Sequence, residues 1–220
     1  MSKNGKTAKE YMILVLAILL VSLTLNIFTS INNYKIKYRV GKESYSSIEH
    51  IRINNENNMT ILEKSIEVGY LTNMELLQLY KNYSDISSNI IKLWDEYSFY
   101  ANNKPLFNLK KKLDTDKNIL NDINNNIEDS LLFILNNQME NQSYRLYLNE
   151  NKLLNKFNGM KELSDKVNNY YIDFYDKYLI DVIDEDKVKK IIKEHYWIDI
   201  LEGIYSINDE YKNYDFVLEQ

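Results

Sequence analysis

Residues 12–31 read MILVLAILLVSLTLNIFTSI, and this run decides the architecture. No charge falls between Glu10 and Lys35. At 1.5 Å rise per residue, roughly 20 helical residues cross the ~30 Å hydrocarbon core of a bilayer. The run therefore predicts a transmembrane helix over residues 11–31. Polar residues such as Ser22, Thr24, Asn26 and Thr29 gather in the C-terminal half. Ser and Thr can bond the helix's own carbonyls, whereas Asn26 is costly in lipid unless it faces another helix. A cleaved secretory signal fits less well, because the run is too long and no A-x-A-like site follows it.

Basic residues flank the run on both sides, with Lys3, Lys6 and Lys9 before it and Lys35, Lys37 and Arg39 after it. They nearly balance under the positive-inside rule. The early position of the segment favours a single-pass protein of the cell membrane, with its N-terminus cytoplasmic and its C-terminal domain extracytoplasmic. Residues 1–42 hold seven basic side chains against Glu10 alone, so the net charge of -5 leaves -11 on the remainder. An acidic domain in a chain with three Arg is a poor nucleic-acid binder, since phosphate contacts need clustered Lys and Arg.

The residues just before the run are Gly5-Lys6-Thr7-Ala8-Lys9-Glu10-Tyr11. A short basic leader ending in Gly, a Glu-aromatic pair beginning five residues later and then an apolar helix resembles the processing site of type IV prepilins. The closest likeness is to the tight-adherence and archaeal class III signal type. The resemblance covers about residues 1–30 and implies cleavage between Gly5 and Lys6, with Glu10 and Tyr11 as the conserved-type pair of that family. It also implies that Glu10 pairs with the free amine of a neighbouring subunit in a filament. The alternative is a plain signal anchor, in which Lys9 neutralises Glu10 within its own chain.

Beyond the membrane segment the pattern is helical. One Pro and five Gly leave few chain breakers. Residues 34–40 alternate apolar and basic like a strand, but without a partner strand they read as continued helix or an extended linker to Gly41. Ser46-Ser47-Ile48-Glu49 has the form of a capping box and predicts a helix to about Val68, with a weak Asn-rich patch at 54–58. Thr72-Asn73-Met74-Glu75 is a second and better box. After it, Leu76, Leu79, Tyr83, Ile86, Ile90, Leu93, Tyr97 and Tyr100 recur in steps of three and four, the seam of a helix packed on others.

A third helix is expected from about Thr115, through Leu120, Ile123, Ile127, Leu131 and Ile134, continuing to Phe157. Asn158-Gly159 predicts a break. Met160, Leu163, Val167, Tyr171, Phe174 and Tyr178 form the next stripe, and Asp184-Glu185-Asp186 opens a last helix to about Tyr205. The fold expected is all-α, an N-terminal transmembrane helix followed by an antiparallel helical bundle with coiled-coil-like seams. Its parts are a basic leader (1–10), the transmembrane helix (11–31), a basic juxtamembrane linker (32–43) and the bundle domain (44–220).

Catalytic chemistry finds little purchase. Cysteine is absent, which removes disulfides, thiolate metal sites and Cys nucleophiles. His50 and His195 belong to no metal motif. Asp114–Asn118 mimics an EF-hand opening, but Ile119 stands where the loop needs Gly, so it reads as a helix start. Asp181, Asp184, Glu185 and Asp186 suit a helix N-terminus. Tyr170, Tyr171, Tyr175 and Tyr178 read as core before they read as a binding strip. Three glycosylation sequons begin at Asn58, Asn82 and Asn141, about as many as so Asn-rich a chain holds by chance.

The expectation is therefore a non-enzymatic protein with no catalytic, metal or cofactor residues, no small-molecule substrate and no nucleic-acid partner. Its partners are the lipid bilayer and itself or other membrane or filament proteins. The function expected is a membrane-anchored acidic bundle with a binding or structural role. The alternatives are a pilin-like subunit and a sensor-like ectodomain acting through a partner protein.

Overall fold

The computed structural model describes residues 4–107, 111–113 and 122–217. It is all-α apart from one short ribbon. The helices are α1 (Asn4–Val68), α2 (Asn73–Asn102), α3 (Lys104–Phe107), α4 (Asp122–Glu140), α5 (Asn151–Leu179), α6 (Asp184–Lys193) and α7 (Tyr196–Glu210). The strands β1 (Tyr70–Thr72) and β2 (Arg145–Tyr147) pair antiparallel. The chain divides into two compact units, Met1–Val40 and Gly41–Gln220.

α1 is a single helix of 65 residues. The alternating stretch 34–40 is helical, and the box at Ser46–Glu49 starts nothing. Ser44 and Ser47 lie buried inside the helix, on the face that also buries Ile48 and Ile51. With no Pro or helix-stopping turn in this region, the apolar periodicity outweighs the local capping signal. The Asn-rich patch is likewise ordinary helix, with Asn55 and Asn58 turned inward. α1 stops at Gly69, whose φ of 79° suits a residue without Cβ. Its N–H donates to the Ser65 carbonyl at 2.9 Å.

α2 begins where the second box predicts. The Glu75 N–H donates to Thr72 Oγ1 at 3.3 Å, and the Thr72 N–H donates back to Glu75 Oε2 at 2.9 Å. Such a cap contributes about 1 kcal/mol. All eight residues of the expected seam, Leu76 to Tyr100, are buried. They pack chiefly on α4, which buries Ile123, Ile127, Leu131 and Ile134. The expected start of the third helix at Thr115–Leu120 lies outside the described residues.

Three expectations fail in the second half. The third helix does not run on to Phe157. It ends at Glu140, and residues 145–147 extend to pair with 70–72, placing Tyr70 opposite Tyr147 and Leu71 opposite Leu146. Burial of Leu71 and the Tyr70–Tyr147 ring contact at 6.1 Å hold this ribbon. The Asn158-Gly159 break is absent too, because both residues sit within α5. Gly159 is there because the Tyr214 ring lies where a Cβ would go, and the Tyr214 hydroxyl donates to the Asn155 carbonyl at 2.8 Å. Last, the final helix is two, α6 and α7, split at His195 with φ of 54°. This lets Trp197, Ile200, Leu201 and Ile204 turn into the core, and α7 packs on α5 and α6.

Candidate functional site

Two regions have the chemistry to act on something else. The first is the apolar run of α1. Its large side chains are exposed from Tyr11 to Ile31, Leu19 at 59 %, and none of its most apolar stretch is buried. By length and composition this helix is able to cross a membrane. Tyr11 stands at one end. Tyr34 and Tyr38, stacked at 6.4 Å, stand at the other among Lys35, Lys37 and Arg39. Tyr11 and Tyr34 are 23 residues apart, about 34 Å along a helix, the spacing of an aromatic belt at each lipid–water boundary. Gly5 and Lys6 fall in the first turns of α1, and Glu10 and Tyr11, about a turn further on, are exposed.

The second region is a groove of about 450 Å³ on the 41–220 unit, between α1 and α5 with Lys187 of α6 at its edge. Tyr45, Glu49, Arg52 and Glu56 recur at helical spacing along α1 and face Ile172, Tyr175 and Asp176 of α5. Arg52 donates to Glu49 Oε2 at 2.9 Å and to Glu56 Oε1 at 2.6 Å. Tyr175 Oη donates to Glu49 Oε1 at 2.7 Å. Burial opposes the charge on Arg52, but the two carboxylates outweigh it and hold the guanidinium above its ordinary value. Burial, with Glu49 adding to it, pushes the Tyr175 phenol up. Glu49 and Glu56 are thus occupied by partners of their own chain.

The same direction holds throughout. Every resolved shift among the described residues moves a group away from neutrality. Tyr phenols, Lys and Arg rise, while Glu75 and Asp215 fall.

The tyrosine strip on α5 is mostly packing. Tyr171 is buried and its hydroxyl donates to the Ile48 carbonyl at 3.2 Å. Tyr170 donates to the Asp199 carbonyl at 2.7 Å, and Tyr178 stacks between Phe174 (4.8 Å) and Tyr196 (5.0 Å). Lys111 covers the Tyr196 ring at 4.5 Å and pairs with Asp199. His50 is exposed, and the His195 ring meets Tyr100 edge-on at 5.1 Å. Asp181 is exposed, and Asp186 accepts from Lys189 at 2.8 Å. Among the described residues no three His, Cys, Asp or Glu side chains converge as a metal site. The Asp114–Asn118 stretch lies outside them.

Two of the three sequons are structural. Asn58 is 0 % and Asn82 2 % exposed, and Asn82 Nδ2 donates to Asn58 Oδ1 at 2.8 Å. Asn55 Nδ2 donates to the Ser164 carbonyl at 2.8 Å. Sequence reasoning missed this buried polar layer and the Glu49–Arg52–Glu56–Tyr175 group. The spacing of Glu49, Arg52 and Glu56 carried a signal for the local part. Nothing local announces that Tyr175, more than a hundred residues on, completes it.

No protein-family model, curated protein or solved structure matches this chain.

The functional argument therefore rests on the two regions themselves. In the groove Glu49, Arg52, Glu56 and Tyr175 bond one another. The apolar helix is the region whose exposure the chain itself does not resolve.

Proposed function

We propose that this protein is a non-catalytic, single-pass membrane protein, with its N-terminus cytoplasmic, that displays an acidic antiparallel helical bundle outside the cell in a structural or binding role. The observation that carries the reading is that every residue from 12 to 31 is exposed, an unbroken run of twenty, whereas most of the described Leu and Ile beyond Val40 are buried and the exposed ones, such as Ile53, Ile91 and Ile172, form no such run. An apolar surface of this extent is far larger than the patches soluble monomers tolerate. Tyr at both ends and basic side chains beyond them support the same reading. The packing of α2 on α4 and of α5 on α7 supports the bundle. A C-terminal epitope tag on intact cells tests the orientation. The reading expects antibody to reach the tag without permeabilisation, and access only after permeabilisation would contradict it.

A second reading, a pilin-like subunit processed after Gly5, is favoured by one specific observation. No break separates the apolar segment from the remainder of α1, which stays helical from Asn4 to Val68. A filament subunit needs such an uninterrupted N-terminal helix, and a plain anchor does not. Mass-spectrometric sequencing of the protein from cells containing a prepilin peptidase tests it. Lys6 as first residue supports the reading, and an intact Met1 or Ser2 start overturns it.

A further inference from the structure

Four polar residues of the apolar helix share one face, with Ser30 and Asn32 about 80° to either side of Ser22. Ser22, Asn26, Thr29 and Asn33 follow one another in steps of four, three and four. At 100° per residue they fall within a sector of about 60° on one face of α1. Thr24 lies about 200° round from Ser22, and its hydroxyl donates to the Leu20 and Val21 carbonyls at 3.1 and 2.8 Å. Thr24 thus satisfies itself within its own helix. Asn26 is exposed and has no side-chain partner among the described residues. Its amide offers two donors and one acceptor, and it does not fold back on the preceding turn as Asn89 does, whose Nδ2 donates to the Asp85 carbonyl at 2.8 Å. Along the same face toward the N-terminus stand Val15 and Ile18, which are apolar.

We infer that two copies of this chain associate in the membrane through the Ser22–Asn26–Thr29–Asn33 face, with the Asn26 amides bonded to each other across the pair. This rests on the membrane-anchored reading. The occupant is a second copy, because a primary amide is its own complement. It donates and accepts at once, so two Asn26 side chains related by a twofold axis satisfy each other. A polar side chain at one position of a helix interface is also the device that fixes register and copy number. Ser22, four residues before Asn26, is small and permits close approach of the backbones. Lipid would leave the amide unpaired, and the opposite face, with Leu20, Thr24 and Ile27, has nothing to offer a partner beyond packing.

The chain has no cysteine, so single cysteines report cleanly. The full-length protein is made with Cys at Val15, Ile18, Ser22, Leu20, Thr24 or Ile27, and membranes are oxidised briefly. The expected result is a product of twice the 26.3 kDa chain, strong for V15C, I18C and S22C and weak for L20C, T24C and I27C. Adding N26L to I18C is expected to lower pairing about three- to twenty-fold, while adding T24V leaves it unchanged. Equal yields round the helix, no dimer at any position, cross-links to a different protein or indifference to N26L would each overturn the inference. Alkaline extraction of the same membranes separates this from failure of the underlying reading. Protein that stays in the pellet without dimers refutes only the pairing, whereas protein released to the supernatant refutes the membrane anchor itself.

Discussion

The two halves of α1 treat apolar side chains in opposite ways. Between Met12 and Ile31 the Leu and Ile side chains are half or more exposed, whereas Ile48, Ile51 and Leu62 in the second half are at 0–1 %. Polar side chains reverse the comparison. Asn26 is exposed among Leu and Ile, while Asn58 is fully buried and receives a hydrogen bond from Asn82. One continuous helix thus carries two kinds of sequence. The first half places apolar groups where lipid would meet them. The second sinks a mixed stripe into a protein core, where Asn58 Oδ1 accepts from Asn82 and Asn55 Nδ2 donates to the Ser164 carbonyl.

Removing the first half should break the contrast most visibly. A chain starting at Tyr34 is expected to move from the membrane pellet to the soluble fraction entirely. It should keep its far-ultraviolet helical signal and a cooperative melt. Single truncations then sharpen the comparison. Leu93→Ala in α2, at a fully buried site, should cost about 3 kcal/mol in chemical denaturation. Leu20→Ala in the first half should stay within about 0.5 kcal/mol of wild type.

The buried amides come next. Asn58→Ala strands the Asn82 donor and should cost about 2 kcal/mol, more than its loss of volume would suggest. Peptide mapping of protein secreted through a glycosylating host should find Asn58 and Asn82 unmodified. Thr72→Ala removes the α2 cap and should cost about 1 kcal/mol.

The smallest effect is pH-dependent. Burial works against the Glu75 charge, but hydrogen bonds from Lys64 and Thr72 outweigh it and hold the carboxyl below its ordinary 4.5. A depressed folded value means that this contribution is present above about pH 4.5 and disappears as pH falls through the folded value. Thermal melts of wild type and Glu75→Gln should therefore differ at pH 7 and converge at pH 2.

Local signals with a single outcome were legible in the sequence. The charge-free run, the Thr72–Glu75 box and the seam from Leu76 to Tyr100 all stand where the pattern puts them, because each depends on neighbours three or four residues away. Signals whose outcome depends on distant partners were not legible. Ser46–Glu49 has the form of a cap, yet burial of Ile48 and Ile51 carries the helix through it. Asn158-Gly159 looks like a stop, yet Tyr214, more than fifty residues on, needs the space that Gly159 leaves. Residues 145–147 show no strand period of their own and extend because 70–72 are there to pair with. At the apolar run spacing alone sets Ser22, Asn26 and Thr29 on one face. The α1–α5 groove required the fold, because Glu49 and Tyr175 meet only through tertiary packing.

The central claim is that residues 12–31 span a bilayer. Spin labels at single cysteines replacing Ile13, Leu20 and Ile31 of the full chain, reconstituted in phospholipid vesicles, measure this directly through accessibility to oxygen and to a water-soluble nickel complex. The account predicts a depth maximum at Leu20, with Ile13 and Ile31 shallower on opposite sides. Equal shallow depth at all three positions, or free access of the nickel complex to Leu20, would contradict it.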